Sequence, residues 1–193
     1  MRILLLLFVL GCGASGVASD LVKWNQGVIV MPDGKVHQGE LAFQVSEIVL
    51  FRVAGEVTVF PANKIRSFRY YDPEQNINRK FVSRTSSLKR TSSFYEVVVL
   101  GEVSVMRRFN QHVITSRKKS DLDDYDYFVC LQENLVPLKQ FRNKLYPNLL
   151  TSSSQIEMQI KANHLNPNRQ GDAIQIIQLY NKATSAETLV AGI

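Results

Sequence analysis

The sequence predicts an α+β protein: a mainly antiparallel β-domain, built as a small barrel or sandwich, followed by two or three short helices. Between Trp24 and Pro137, short segments rich in β-branched and aromatic residues recur about every ten residues, with turn-forming residues between them. After Pro137 the apolar residues take a helical spacing. The predicted segments are a leader at 1–19, a β-rich domain at 20–137, helices packed on it at 138–183 and a loose tail at 184–193.

The leader has the layout of a secretory signal peptide. Arg2 precedes an apolar run from Ile3 to Leu10, and small residues follow as far as Ser19. This run is shorter than the about 20 apolar residues that a membrane-spanning helix needs, and no later segment approaches that length, so no transmembrane helix is expected in the mature chain. Two cuts stay open: one after Ser19, or a lipobox-like cut before Cys12, which would then carry a lipid. Either cut predicts export to the periplasm or outer envelope, with or without a lipid anchor.

Hairpin signals define the β-rich domain. Pro32-Asp33-Gly34 separates two β-branched runs, and its glycine tolerates the positive φ angle that a tight turn demands. A second turn is predicted around 54–56. In the later segment 64–72, Ile65 and either Phe68 or Tyr70 are expected to reach a core. The polar, basic segment 83–93 is predicted to be a mobile loop, because it holds too few apolar residues to order itself.

The helical region begins directly after Pro137. Leu138, Phe141 and Leu145 share one face of a predicted helix that Pro147 ends. Two further helices are predicted around 154–165 and 171–183. Because short amphipathic helices are unstable alone, they are expected to dock on the β-domain. The isoleucines predicted to be buried are Ile156, Ile160, Ile174 and Ile177.

Glycines, aromatic residues, polar residues and a few others form a recognisable pattern that is spread along most of the chain. The pattern consists of Gly27, Asp33, Gly34, Gly39, Leu41, Phe43, Phe68, Tyr70, Asp72, Pro137, Leu138, Tyr180 and Asn181. Together with the leader, this pattern resembles a loose group of exported Bacteroidota proteins whose activity is not known. The resemblance implies the exported compartment and the β-plus-helix architecture. Since most of the matching residues belong to turns and core, it implies no catalytic residue.

The chain contains no local motif for catalysis, cofactor binding or metal binding. There is no G-x-S-x-G, no phosphate-cradling glycine loop and no H-E-x-x-H. His37, His112 and His164 lack the spacing of a zinc site. The aspartates at 121–126 lack the central glycine and distal glutamate of a calcium loop. Cys130 lies in a strand-like run and is predicted to be a small buried apolar residue. No catalytic, cofactor-binding or metal-ligating residue is therefore predicted.

Positive charge is concentrated in the middle of the chain. The formal net charge is +6, and residues 64–119 hold thirteen basic residues against four acidic ones. A basic face would attract anionic partners over roughly 8–10 Å at physiological salt. One hypothesis is an anion-binding face formed by Arg84, Lys89, Arg90, Arg107, Arg108, Arg117, Lys118 and Lys119. The alternative, that these charges only keep loops hydrated, stays open.

Two classes of function compete. The missing catalytic motifs favour a non-enzymatic envelope protein with a binding or scaffolding role, whose partner is a protein, an acidic glycan or an anionic membrane surface. The alternative is an envelope hydrolase whose site is assembled from residues distant in sequence, because paired carboxylates leave no fixed spacing. The early segment 33–39 is similar to small barrels of the SH3 or Sm type, some of which bind nucleic acid. Nucleic acid is not the expected partner, since it disagrees with export and the positive charge is mild.

Overall fold

Ten strands in the described part of the chain form one antiparallel sheet, and four α-helices follow it. The computed structural model describes residues 22–85, 91–109, 124–132, 134–152 and 154–191. One-turn 3-10 helices lie at Ala62–Lys64 and Leu138–Gln140. In chain order the elements are β1 (Asn25–Val30), β2 (Val36–Val45), β3 (Ile48–Val53), β4 (Glu56–Pro61), β5 (Ser67–Asp72), β6 (Ile77–Thr85), β7 (Ser92–Val99), β8 (Ser104–Phe109), β9 (Tyr125–Leu131), β10 (Asn134–Pro137), α1 (Phe141–Lys144), α2 (Tyr146–Ser152), α3 (Ser154–Ala162) and α4 (Gln170–Ala191).

The sheet is a meander with one exception. Its strand order is β10-β9-β8-β7-β6-β5-β1-β2-β3-β4, so consecutive strands of the described ranges pair with each other except that β5 pairs with β1 and not with β4. Both predicted turns are confirmed. Gly34 has a φ of 87° in the first, and Ala54 and Gly55 have φ of 50° and 87° between β3 and β4. Two successive positive φ angles are the geometry of a two-residue hairpin whose twist matches its strands.

Two glycines allow β1 and β2 to lie unusually close to their neighbours. Gly27 and Gly39 face each other across the β1–β2 pair. A Cβ atom at Gly27 would clash with the carbonyl oxygen of Arg69, and one at Gly39 would lie 2.6 Å from that of Arg52. Both positions therefore require glycine because of space rather than φ.

The first half of the sheet curls around a core of its own. β2 contains a bulge between Ala42 and Val45, which bends the strand. The β2–β3 turn thereby reaches β7, where the Phe94 N–H donates to the Ser46 carbonyl at 2.6 Å. Ile65 and Phe68 are buried, as predicted. This first core consists of Ile29, Leu41, Val49, Phe51, Ala62, Ile65, Phe68, Phe81 and Phe94.

The helices cover the second half of the sheet and complete a second core. Val105 of β8 and Val129 of β9 are fully buried beneath them. Leu138, Phe141 and Leu145 are buried together, as the sequence predicts. The remaining buried members of this core are Val99, Val103, Tyr127, Leu149, Ile156, Ile160, Ala173, Ile176, Ile177 and Tyr180.

The predicted α+β class, with a mainly antiparallel β-domain followed by helices, is confirmed. Ile156, Ile160 and Ile177 are buried, as predicted, and so is Cys130. Ile174 packs on the second core but is only half-buried. None of the helices in the described ranges has the length and apolarity needed to cross a bilayer.

Two boundaries differ from the sequence-based expectation. Ser83–Thr85 belong to β6 and pair with residues of β7, because register with Phe94, Ser93 and Ser92 orders them despite their polarity. Residues 86–90 of the predicted loop lie outside the described residues. Residues 184–193 were expected to form a loose tail, whereas α4 continues to Ala191. The hydroxyls of Thr184 and Ser185 donate to carbonyls one turn earlier, so these residues do not end the helix.

Candidate functional site

The two faces of the sheet carry charge in different ways. Side chains alternate along each strand, so residues paired across neighbouring strands share a face. Phe68 and Phe81 face the first core, and Arg79 and Glu96 lie on that same face; we call it the inner face. Arg69 and Lys80 pair across β5 and β6 and point to the opposite, outer face.

A chain of four charged residues crosses the inner face between the two cores. The Arg79 Nε donates to Asp72 Oδ2 at 2.8 Å, and its Nη1 donates to Glu96 Oε1 at 2.6 Å. The Arg107 Nε donates to Glu96 Oε2 at 2.7 Å. We call Asp72, Arg79, Glu96 and Arg107 the inner ion-pair chain. Its charges alternate in sign and its carboxylates are each about 90% shielded from solvent, with side-chain exposure of 10%.

Further bonds fix both ends of the inner ion-pair chain. At one end, Asp72 Oδ1 accepts the backbone N–H of Glu74 at 3.1 Å, and Lys23 Nζ lies 3.7 Å from the same oxygen. At the other end, the guanidinium of Arg107 lies 4.2 Å from the centre of the Tyr125 ring. A cation held over an aromatic face gains electrostatic stabilisation that increases as water is excluded.

These contacts shift the ionisation of the groups involved. The Arg79 guanidinium, which donates to Asp72, lowers the pKa of that carboxyl, and burial opposes this only in part. Burial alone would lower the pKa of Arg107, but hydrogen bonds to Glu96 and Tyr127 raise it above its ordinary value. Burial raises the pKa of the neighbouring Tyr70 to about 12, so its hydroxyl keeps its proton at neutral pH.

The outer face carries cations without matching acids. Arg66, Lys80 and Arg84 line a groove of about 510 Å³, which we call the outer groove. No ion pair joins these three to an acidic group among the described residues, and Glu102 is the one acidic residue among the described residues that line the groove. Arg69 lies directly opposite Lys80, and like charges in that position are destabilising unless they are neutralised.

Arg84 is the most constrained of the three cations. It is half-buried, and its Nη1 donates to the carbonyl of Ser83 at 3.1 Å. Its Nε is buried without a hydrogen-bond partner among the described residues. A buried N–H without an acceptor is costly, so this guanidinium has donor capacity that the described residues do not use.

The structure separates the residues of the predicted anion-binding face. Arg84 lines the outer groove, and Arg108 lies on the outer face, 3.7 Å from Asp126 and over the ring of Tyr95. Arg107 points the other way, into the inner ion-pair chain, so it does not contribute to that face. The others lie outside the described residues, as does Cys12: Lys89, Arg90, Arg117, Lys118 and Lys119.

The cations of the outer face were not predicted as a group. Basic residues were counted along segments of the sequence and were not assigned to one face of each strand. Lys80 immediately precedes Phe81, and Arg69 immediately follows Phe68. Once those phenylalanines are assigned to the core, period-two alternation places both cations on the opposite face. That signal was available in the sequence.

The chemistry of these sites is that of ion pairing and hydrogen bonding. Within the ranges that the structure describes, no three His, Cys, Asp or Glu residues come together as metal ligands would. The two carboxylates on the inner face, Asp72 and Glu96, are both bonded to Arg79. Comparison of the chain with protein-family models, curated proteins and solved structures gave no match.

Proposed function

We propose that the protein is a non-enzymatic binding protein of the cell envelope that holds an acidic glycan in its outer groove. The leader pattern at residues 1–19 supports export. The observation that carries the binding role is the set of cations on the outer face, Arg66, Arg69, Lys80 and Arg84, without acidic partners among the described residues. Such a set attracts polyanions through long-range forces.

The residues that line the outer groove combine positive charge with hydroxyl and apolar groups, which suits a glycan chain. Beside its cations, the lining includes the apolar residues Val82, Met106 and Cys130, and the hydroxyl residues Ser67 and Ser104. A polymer with spaced acidic groups and hydroxyls can pair with the guanidinium groups and also bond to the hydroxyl of Ser67.

The hydrolase alternative has weaker support. A general acid at neutral pH needs a carboxyl whose pKa is raised, as in glycosidases. On the inner face the Arg79 hydrogen bond lowers the pKa of Asp72 instead. Glu96 accepts a guanidinium N–H on each of its two carboxylate oxygens, one from Arg79 and one from Arg107. This pair of carboxylates is arranged for ion pairing and not for donating a proton.

The test is elution of the chain from Asp20 onward from a heparin-like resin across a salt gradient. The groove variant is the double substitution Lys80→Ser and Arg84→Ser. The control is Lys139→Ser with Lys144→Ser, which removes the same charge from exposed positions in the helical region. We expect the groove variant to elute at clearly lower salt than the control, because fewer counterions are released on binding.

Equal elution of the two variants would contradict a role for the outer groove. Retention on anionic lipid vesicles without retention on the resin would identify a membrane surface in place of a glycan. Turnover of the resin polysaccharide by the protein, lost in Glu96→Gln, would favour the hydrolase.

A further inference from the structure

A cleft of about 230 Å³ opens on the inner face where the two cores meet. Aromatic rings from four strands form its walls: Phe43, Tyr70, Phe109 and Tyr125. Phe109 and Tyr125 meet edge to face, with ring centres 5.8 Å apart. The charged groups of the inner ion-pair chain, with Arg79, Glu96 and Arg107 among the lining residues, form its polar side. We call this space the inner cleft.

The guanidinium groups in the inner cleft have more donors than the described residues use. A guanidinium carries five N–H donors and no acceptor. Arg107 uses Nε for Glu96 and Nη1 for the Tyr127 hydroxyl, the latter at 3.5 Å. Its Nη2 has no acceptor in the described part of the chain, and its side chain is 20% exposed. Arg107, which lines the cleft, therefore keeps N–H donors that the described residues do not use.

Tyr70 adds a second unused donor. Its ring is stacked on Phe81, with ring centres 5.8 Å apart and planes 9° from parallel, so its position is fixed by packing. Its hydroxyl makes no hydrogen bond to any of the described residues. Buried or half-buried tyrosine hydroxyls usually find a partner, so this one is available to a molecule in the cleft.

The acceptors of the inner cleft, in contrast, are already engaged. Asp72 Oδ1 accepts a backbone N–H and Oδ2 accepts from Arg79. Glu96 receives a guanidinium N–H on each of its two oxygens. What remains unused is thus mainly donors, and a ligand that satisfies them must bring acceptors.

We propose that the inner cleft is a binding site for a small carboxylate with a ring-shaped apolar body. The carboxylate would accept from the Arg107 Nη2 edge and from the Tyr70 hydroxyl, in the charge-assisted geometry that guanidinium groups favour. The ring would lie against Phe43, Phe109 and Tyr125. This site is on the opposite face from the outer groove and does not depend on it.

Phenylacetate is the probe, and phenylacetamide is its neutral counterpart of the same shape. Binding is followed by NMR chemical-shift titration of the chain from Asp20 onward. We expect phenylacetate to shift resonances of residues lining the inner cleft, and phenylacetamide to bind at least several-fold more weakly. Tyr70→Phe should weaken phenylacetate binding by about tenfold, the usual effect of one lost hydrogen bond to a charged group.

Tyr146→Phe is the matched control, because it removes the same atom from a tyrosine that packs on Phe141 in the helical region. It should bind phenylacetate as the unaltered chain does, and so should the Lys80→Ser, Arg84→Ser groove variant. Tyr70→Phe should fold normally, since its hydroxyl makes no bond within the described residues, and its unfolding curve checks this. Absence of shifts in the cleft, equal binding of the amide, or unchanged affinity in Tyr70→Phe would each overturn the proposal.

Discussion

Asn181 shows how one amide ties the helical region to the sheet. Its Oδ1 accepts the Val103 N–H at 3.0 Å and its Nδ2 donates to the Val103 carbonyl at 2.8 Å. The side chain thus satisfies both backbone polar groups of Val103 in the β7–β8 connection and ties α4 to it. Gly101 leaves room for it, since a Cβ there would collide with the amide. Two residues that looked like ordinary members of a sequence pattern, Tyr180 and Asn181, therefore contact the β7–β8 connection.

Asn181→Ala is expected to lower the free energy of unfolding by roughly 2–4 kcal/mol, because it leaves the backbone N–H and the backbone carbonyl of buried Val103 without their hydrogen bonds to Asn181. Denaturant unfolding followed by circular dichroism measures this change. Asn143→Ala removes an amide from an exposed site and should change stability by less than about 0.5 kcal/mol. A similar small effect for both substitutions would show that the Asn181 contacts are dispensable.

Asp72 makes stability depend on pH in the acid range. Its folded-state pKa lies below the ordinary value of 3.8, because Arg79 and backbone N–H groups stabilise the carboxylate. Because the pKa of Asp72 is lower in the folded than in the unfolded chain, its carboxylate stabilises the protein fully at pH values above the pKa of the unfolded chain. This contribution is lost as pH falls through the pKa of the folded chain. We expect stability to decline below about pH 4, and Asp72→Asn to flatten that decline.

Urea unfolding at a series of pH values checks this expectation. Glu157→Gln is the control, since it removes an exposed carboxylate that pairs only with Lys161 among the described residues. Its acid decline should run parallel to that of the unaltered chain. An acid decline in Asp72→Asn as steep as in the unaltered chain would assign the effect to other carboxyl groups.

At the scale of elements, turns and amphipathic faces were predictable, and buried charge was not. Turns at 32–34 and 54–56 were visible because their φ angles demand particular residues. The inner ion-pair chain was not predicted, because alternate positions of a strand are recognised in the sequence as facing the core only where they are apolar. In β6 the inward positions run Ile77, Arg79 and Phe81, and the arginine is accommodated by acids from β5 and β7. Those partners are distant in sequence, so no local spacing reveals them.

The helices are predicted to be essential for the stability of the second half of the sheet. A chain ending at Tyr146 would lose Leu149, Ile156, Ile176 and Ile177 from the second core and expose Val105 and Val129. We expect this truncation to lower the melting temperature strongly or to render the protein insoluble, because a large apolar face would meet water. A melting curve like that of the full chain would show that the helices are an independent appendage.

For the whole molecule, the sequence predicted the α+β class, whereas the joining of all strands into one sheet emerged only from the structure. Short strands at regular spacing are compatible with several sheet arrangements, and the choice depends on long-range pairing such as β1 with β5. The distribution of charge over the two faces of the sheet also depends on long-range strand pairing. Net basic charge was evident, but its division between a paired inner face and an unpaired outer face required the register.

Export is the prediction that concerns the whole chain. The apolar run after Arg2 and the small residues up to Ser19 predict that the N-terminus is removed during secretion. Mass spectrometry of the protein recovered from producing cells identifies the mature N-terminus. Asp20 at that position would establish the simple cut, an acylated Cys12 would establish a lipoprotein, and an intact Met1 would contradict both.

The pairing of β1 with β5 has a consequence for the order in which the molecule is assembled. Among the described strands, every other pairing joins consecutive strands, and most of these pairings close a loop of only a few residues at small entropic cost. Among the described strands, β1 (residues 25–30) is the one whose second pairing partner, β5 (residues 67–72), is synthesised only after three other strands. Since synthesis proceeds from the N-terminus, β1 can pair with β5 once β5 is present, whereas the curl closes only after β6 and β7 bring Phe81 and Phe94 into the first core. The aliphatic residues of β8 and β9 stay partly exposed until α4 has been synthesised, because Ile176 and Ile177 of α4 complete the second core. The nascent chain is therefore most prone to misassociation before α4 packs on the sheet.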